Sequence, residues 1–159
     1  MPIDLSENSY LSKENFDMSD FFTPGGAALT SNKDDWETPQ ALFDELDKDF
    51  HFTLDPCATK ENAKCKKYFT KEQDGLLQDW EDEIVFCNPP YGRDIGKWVQ
   101  KCAEEQWSAK AIVLLIPART DTAYFHDYIY DQATIIFLRG RLKFEVGGWQ
   151  AILHHSQAC

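Results

Sequence analysis

Asn88-Pro89-Pro90-Tyr91 is the stretch of this chain whose residue types and order most directly suit chemistry. Adding a group to an exocyclic amine or amide nitrogen meets one obstacle: the lone pair is delocalised. The Asn88 side-chain oxygen and a neighbouring backbone carbonyl can each accept one N–H bond from such a nitrogen. Together they favour a tetrahedral nitrogen whose lone pair points at an incoming methyl group. That is positioning combined with stabilisation of developing positive charge. Pro89 and Pro90 hold the carbonyl, because each ring fixes its own φ and restricts the residue before it. Tyr91 offers a flat face on which an extruded base can stack. The competing reading is a strand-ending turn, since Asn-Pro and Pro-Pro are ordinary loop punctuation. A chance match in a chain of this length is on the order of one in a thousand. Its place directly after the apolar run Ile84–Cys87 favours chemistry.

The elements around the tetrapeptide must hold it. Residues 1–33 are polar, carry a Pro-Gly-Gly-Ala-Ala break at 24–28, and read as a flexible N-terminal segment. A helix is expected over 39–46, with Thr38 as N-cap and Pro39 at its first position. Residues 52–54 read as a short strand ending at Asp55, followed by a loop-rich stretch to about residue 82. Ile84–Cys87 and Ala111–Ile116 are continuous apolar runs, as strands buried on both faces show. Helical spacing is expected over 95–107, with Trp98, Val99, Cys102 and Ala103 on one side. A further helix over 121–130, a strand over 133–138 and an extended run over 141–146 complete the pattern. Alternation of this kind gives an α/β fold with a mostly parallel sheet flanked by helices. Ligands of such sheets bind beyond the carboxyl ends of the strands. Asp55, Asn88 and Pro117 each follow an expected strand, so their loops converge on one edge.

At 159 residues, 43% hydrophobic and 14% aromatic, the chain has the size and content of one folded domain. No stretch has the apolar length of a membrane span, and the first residues lack the basic start and apolar run of a secretory signal. Five cysteines without a Cys-x-x-Cys pair read as reduced thiols in a cytoplasmic protein. Cys57 and Cys65 have no matching ligand pair, so no zinc site is expected. The net charge of −11 is unevenly spread. Residues 1–59 carry 3 Lys/Arg against 13 Asp/Glu, whereas residues 84–159 carry 8 against 7. Lys60, Lys64, Lys66, Lys67 and Lys71 cluster between them. The part that carries the tetrapeptide can therefore still meet phosphate, without strong long-range attraction.

A longer ordered pattern surrounds Asn88–Tyr91: Trp36-Glu-Thr-Pro39, Leu54-Asp-Pro-Cys-Ala-Thr59, Lys67-Tyr-Phe-Thr70, Asp74-Gly-Leu76 with Trp80, Pro117-Ala-Arg-Thr-Asp121 and Phe137-Leu-Arg-Gly-Arg-Leu-Lys-Phe144. This pattern resembles the phage-encoded DNA N-6-adenine-methyltransferase (Dam) family over about residues 34–148. The resemblance implies a Rossmann-like, S-adenosylmethionine-dependent methyltransferase fold. It also implies an enzyme, encoded by a phage or prophage, that methylates adenine N6 of a flipped base in double-stranded DNA. A monomer in the bacterial cytoplasm, without a metal, is the expectation here, the oligomeric state being open.

Carried onto this chain, the resemblance makes Asn88, Pro89, Pro90 and Tyr91 the catalytic residues. Thr38 and Pro39 fall at the donor's amino-acid end. Asp55 and Pro56 fall at the loop after the first strand, where a carboxylate can meet the methionine ammonium or, through a water, the sulfonium. Many methyltransferases have a glycine-rich loop here; this chain has Cys57-Ala58-Thr59 instead. Asp74 could accept from the donor's adenine amino group with Leu76 packed on the ring, although Asp-Gly is also a strong turn signal. Arg119, Arg139, Arg141 and Lys143 are candidate DNA contacts, the last three alternating along an extended run. Ordinary solvent-facing charges would give the same spacing. Trp98 and Trp107 read as packing residues, and His126, His154 and His155 lack acidic partners.

Past Gly148 the resemblance stops. The family pattern continues with a segment like Ala-Pro-Phe-Pro-Ser-Met and a last strand, whereas this chain ends in an atypical tail, residues 149–159. One choice of codons for that tail, read two bases later, encodes Ala-Ser-Asn-Pro-Ala-Pro-Phe-Pro-Ser-Met. The tail is therefore expected to be out of frame, and the sheet to lack its last strand. Two alternatives stay open: a protein glutamine N5-methyltransferase, which poses the same lone-pair problem, and a truncated remnant that binds DNA or donor without turnover.

Overall fold

The computed structural model describes residues 37–138 and the strand at 150–156. Helix α1 spans Gln40–Phe50 and buries Leu42, Phe43 and Leu46 along one face. Its last turn closes on His51 in the left-handed region (φ 55°), whose N–H donates to the Asp47 carbonyl at 3.0 Å. The Phe52 N–H then donates to the Asp47 carboxylate at 2.7 Å, which turns the chain toward the sheet. Pro39, not Thr38, is the N-cap, and no side chain caps the helix. The expected Thr38 cap is thus corrected by one residue, because the Thr38 hydroxyl is engaged elsewhere.

Six strands form one sheet: β1 (Leu54–Asp55), β2 (Lys67–Tyr68), β3 (Ile84–Cys87), β4 (Ala111–Pro117), β5 (Thr134–Phe137) and β6 (Gln150–Ser156), in the order β2-β1-β3-β4-β6-β5. The first four run parallel, and β6 lies antiparallel between β4 and β5. The mostly parallel α/β expectation holds. The missing last strand does not: tail residues pair along the whole of β4, from Ala111 with Ser156 to Pro117 with Gln150. The extended run expected over 141–146 and the segment 1–33 lie outside the described residues.

Alternation along the buried strands builds two apolar layers. On one side, Val85, Cys87, Ile112, Leu114 and Ile116 meet Trp98, Val99 and Cys102 of α2 (Ile95–Glu105) and Phe125 of α3 (Ala123–Tyr128). On the other, Phe86, Val113 and Leu115 meet Leu42, Phe43 and Leu46 of α1. Phe43 and Phe86 pack edge to face with centroids 5.2 Å apart, a geometry that adds about 0.5–1.5 kcal/mol beyond area burial. Trp98 is a core residue, stacked on Trp80 at 6.5 Å, whereas Trp107 is exposed. Among the described residues no helix is long and apolar enough to cross a membrane.

From β1 the chain crosses outward to β2 and then returns to β3 on the other side. That reversal creates a crevice between the carboxyl ends of β1 and β3, where open α/β sheets take their ligands. Asp55 ends one of these strands and Asn88 follows the other.

Candidate active site

The Cys87-Asn88 step lifts the chain out of the buried sheet. Pro89 is buried beneath the turn, while Asn88, Pro90 and Tyr91 are half-buried. Both ends of the Asn88 carboxamide are held. Its Nδ2 donates to Thr38 Oγ1 at 3.0 Å, and its Oδ1 accepts from the Tyr91 hydroxyl at 2.8 Å. The same hydroxyl lies 3.4 Å from the Leu115 carbonyl oxygen of β4. Tyr91 also packs against the core layer built on Trp98 and Val99. Burial pushes its hydroxyl well above the usual phenol range, so it stays protonated and remains a donor.

Asp55 is the second buried polar group of the site, 6% exposed. Its carboxylate accepts from the Lys64 N–H at 3.1 Å and the Cys57 N–H at 3.4 Å. Burial raises its pKa, and those two backbone donors oppose the rise. Glu37, Thr38, Asp55, Cys57, Asn62, Lys64, Phe86 and Asn88 line an open cleft of ≈ 270 Å³. Three positions singled out from the sequence thus meet at one place: Thr38, Asp55 and Asn88. Glu37, Asn62 and Lys64 join them unforeseen. Lys64 carried one signal, membership of the lysine cluster, but as a phosphate-facing charge and not as the backbone donor that holds Asp55.

Asp74 and Leu76 reach the same region from a different element. A short 3-10 turn, Gly75–Leu77, follows Asp74, whose carboxylate accepts from the Leu76 N–H at 3.1 Å. The turn is pressed against the Asp55-Pro56 loop so closely that a Cβ on Gly75 would lie 1.9 Å from the Pro56 carbonyl oxygen. Trp80 Nε1 donates to the Gly75 carbonyl at 3.1 Å and fixes the turn from below. Asp74 and Leu76 do not line the cleft itself. Beneath the site, Cys57 Sγ and Cys87 Sγ lie 3.8 Å apart, both thiols raised in pKa by burial.

Arg119 follows β4 on the same edge of the sheet and is exposed, its Nε 3.5 Å from the Asp121 carboxylate. An exposed pair at that distance contributes little to stability and leaves the guanidinium available. Arg139, Arg141 and Lys143 lie outside the described residues.

A doubly flanked, mostly parallel sheet, with Asn-Pro-Pro-Tyr at the switch point and a buried acid beside it, is the design of a Rossmann-like methyltransferase. The model of the family described as DNA N-6-adenine-methyltransferase (Dam) matches residues 25–157. The chain belongs to that family. A DNA N-6-adenine-methyltransferase of Haemophilus phage HP1 (strain HP1c1) is 29% identical over 110 residues, which cover 68% of this chain and 64% of the relative. Another, from Escherichia phage T1, is 32% identical over 119 residues, covering 73% of this chain and 49% of the relative. The matched stretch therefore spans less than two thirds of the length of either relative.

Proposed function

We propose that the chain transfers a methyl group from S-adenosylmethionine to adenine N6 of a base flipped out of double-stranded DNA. The observation that carries this reading is the Asn88 carboxamide, held at both ends beside a cleft with a buried acid. Family membership narrows the planar nitrogen to adenine N6. When bound, the donor supplies an electrophilic methyl on a sulfonium.

The residues present fit that donor. Asp55 and Glu37 line the cleft with Lys64 and supply the carboxylates suited to an ammonium and a sulfonium. Pro39 follows Thr38, which lines the cleft, and Pro56, Asp74 and Leu76 would supply the adjoining loop and turn for the adenine. On the acceptor side, Asn88 Oδ1 and the Pro89 carbonyl are the two acceptors for the amine N–H groups. A carboxamide oxygen has two lone pairs, so the Tyr91 hydroxyl on Oδ1 is compatible with a second donor. Pro90 fixes the carbonyl, and the Tyr91 ring bounds the site on the base side. Arg119, with Arg139, Arg141 and Lys143, would contact phosphate or groove edges. The protein would act as a monomer in the cytoplasm of a bacterial host, carried by a phage or prophage.

Transfer of tritiated methyl from S-adenosylmethionine to unmethylated plasmid tests this reading. Label recovered as N6-methyladenine is the expected result, lost in Asn88→Ala while that variant still binds donor. Label in protein, or no label, overturns it. We also propose that the tail, residues 149–159, is an out-of-frame segment, although its residues 150–156 pair as β6 and the family match runs to residue 157. Nucleotide sequencing across codon 149 tests that point, and a gene without the Ala-Pro-Phe-Pro-Ser-Met continuation in the shifted phase overturns it.

A further inference from the structure

Thr38 is 4% exposed, and a buried hydroxyl must find a partner. Its place before α1 suggests capping, yet no side chain caps that helix. The Pro39 carbonyl accepts the first helical N–H bonds instead, from Leu42 at 3.1 Å and Phe43 at 3.2 Å. What the Thr38 oxygen does hold is Asn88 Nδ2, at 3.0 Å across 50 residues of sequence.

Resting on the function proposed above, we propose that Thr38 is a positioning residue: its hydroxyl anchors the Asn88 carboxamide at its nitrogen end, with Oδ1 placed as the acceptor for the amine. A carboxamide is nearly symmetric in shape, and rotation by half a turn exchanges its oxygen and nitrogen. In that rotated state a donor faces the amine where an acceptor is required. Thr38 on the nitrogen and Tyr91 on the oxygen pin the carboxamide at its two ends; a hydroxyl can donate or accept, so what the pair fixes is the plane and position of the group. Because Thr38 opens the segment leading into α1, the helix that covers one face of the sheet also sets the register of the catalytic side chain.

The role predicts a split between turnover and donor binding. In Thr38→Val, which keeps the shape and loses the hydroxyl, single-turnover methyl transfer should fall about tenfold. The Kd for S-adenosylhomocysteine should stay within about twofold, and Thr38→Ser should restore the rate. A weakened Kd with an unchanged rate would make Thr38 a donor contact and overturn the proposal. The second readout is free of activity: the Asn88 side-chain NH₂ signals in a ¹⁵N spectrum, identified by their loss in Asn88→Ala. They should shift in Thr38→Val and return in Thr38→Ser; unchanged signals overturn the proposal. Should Thr38→Val fail to fold, Thr38→Ala is read by the same two measurements. Absence of methyl transfer by the unaltered protein would sink the proposed function alone, since the Asn88 signals report the contact independently.

Discussion

The Tyr91 hydroxyl donates to Asn88 Oδ1 at 2.8 Å and comes within 3.4 Å of the Leu115 carbonyl oxygen. A tyrosine proposed to serve through its ring face therefore also holds the Asn88 carboxamide through its oxygen. Tyr91→Phe keeps the ring and deletes the bond, so one neutral hydrogen bond's worth of order is lost at the carboxamide. Methyl transfer should fall about tenfold, with DNA affinity little changed. Because burial raises the hydroxyl's pKa, the unaltered protein should show no alkaline inflection from Tyr91. A phenylalanine variant with full turnover would remove the hydroxyl from the mechanism.

How much of this was legible follows from where each signal sits in the chain. The tetrapeptide and the strand before it are contiguous, and the apolar run Ile84–Cys87 announces a buried strand directly. The three loops on one sheet edge followed from alternation of elements. The Thr38–Asn88 bond spans 50 residues and depends on how α1 docks, so a local pattern could only read Thr38 as a cap. β2 escaped because it is two residues at a sheet edge within a lysine-rich stretch. β6 escaped because its pairing is antiparallel and supplied by β4 and β5, not by its own composition. Lys64 holds Asp55 through its backbone N–H, a role its side chain does not encode.

Gly75 joins the 3-10 turn to the Asp55-Pro56 loop. Any side chain there must displace the Pro56 carbonyl, which an added Cβ would approach to 1.9 Å. Backbone cannot yield as a flexible side chain can, so Gly75→Ala should cost about 1–3 kcal/mol or more. Trp80 Nε1 on the Gly75 carbonyl would lose its alignment in the same shift. Urea unfolding should report the loss of stability, and donor affinity should weaken with it. A variant as stable as the parent would mean that the two segments are not in contact.

Asp55 gives two pH dependences of opposite sign. Burial raises its pKa in the folded protein, so the folded state holds that proton more tightly than the unfolded chain does. Its contribution to stability is therefore present at acid pH and is lost as pH rises through the raised value. Relative to Asp55→Asn, the unaltered protein should lose stability with rising pH across a window that starts in the usual carboxylate range. On the donor role proposed for Asp55, binding needs the charge and should run the other way, weakening as pH falls through the same value. The asparagine variant should bind donor weakly at every pH. Calorimetric binding and thermal melts over one pH series measure both, and parallel slopes for the two proteins would exclude Asp55 as their source.

The tail offers the sharpest test of the sheet. Leu153 pairs with Leu114 on one side and Ile135 on the other, so β6 is an interior strand. Proline there removes a ladder donor and cannot fit between two neighbours, a position that sheets avoid. Leu153→Pro should destabilise the protein by about 3 kcal/mol or more. Loss of β6 would also leave β4 unpaired along one edge and exposed to association with other chains. Reduced soluble yield and a lowered unfolding midpoint are the expected results. If Leu153→Pro matched the parent in both, residues 150–156 would have no part in the fold.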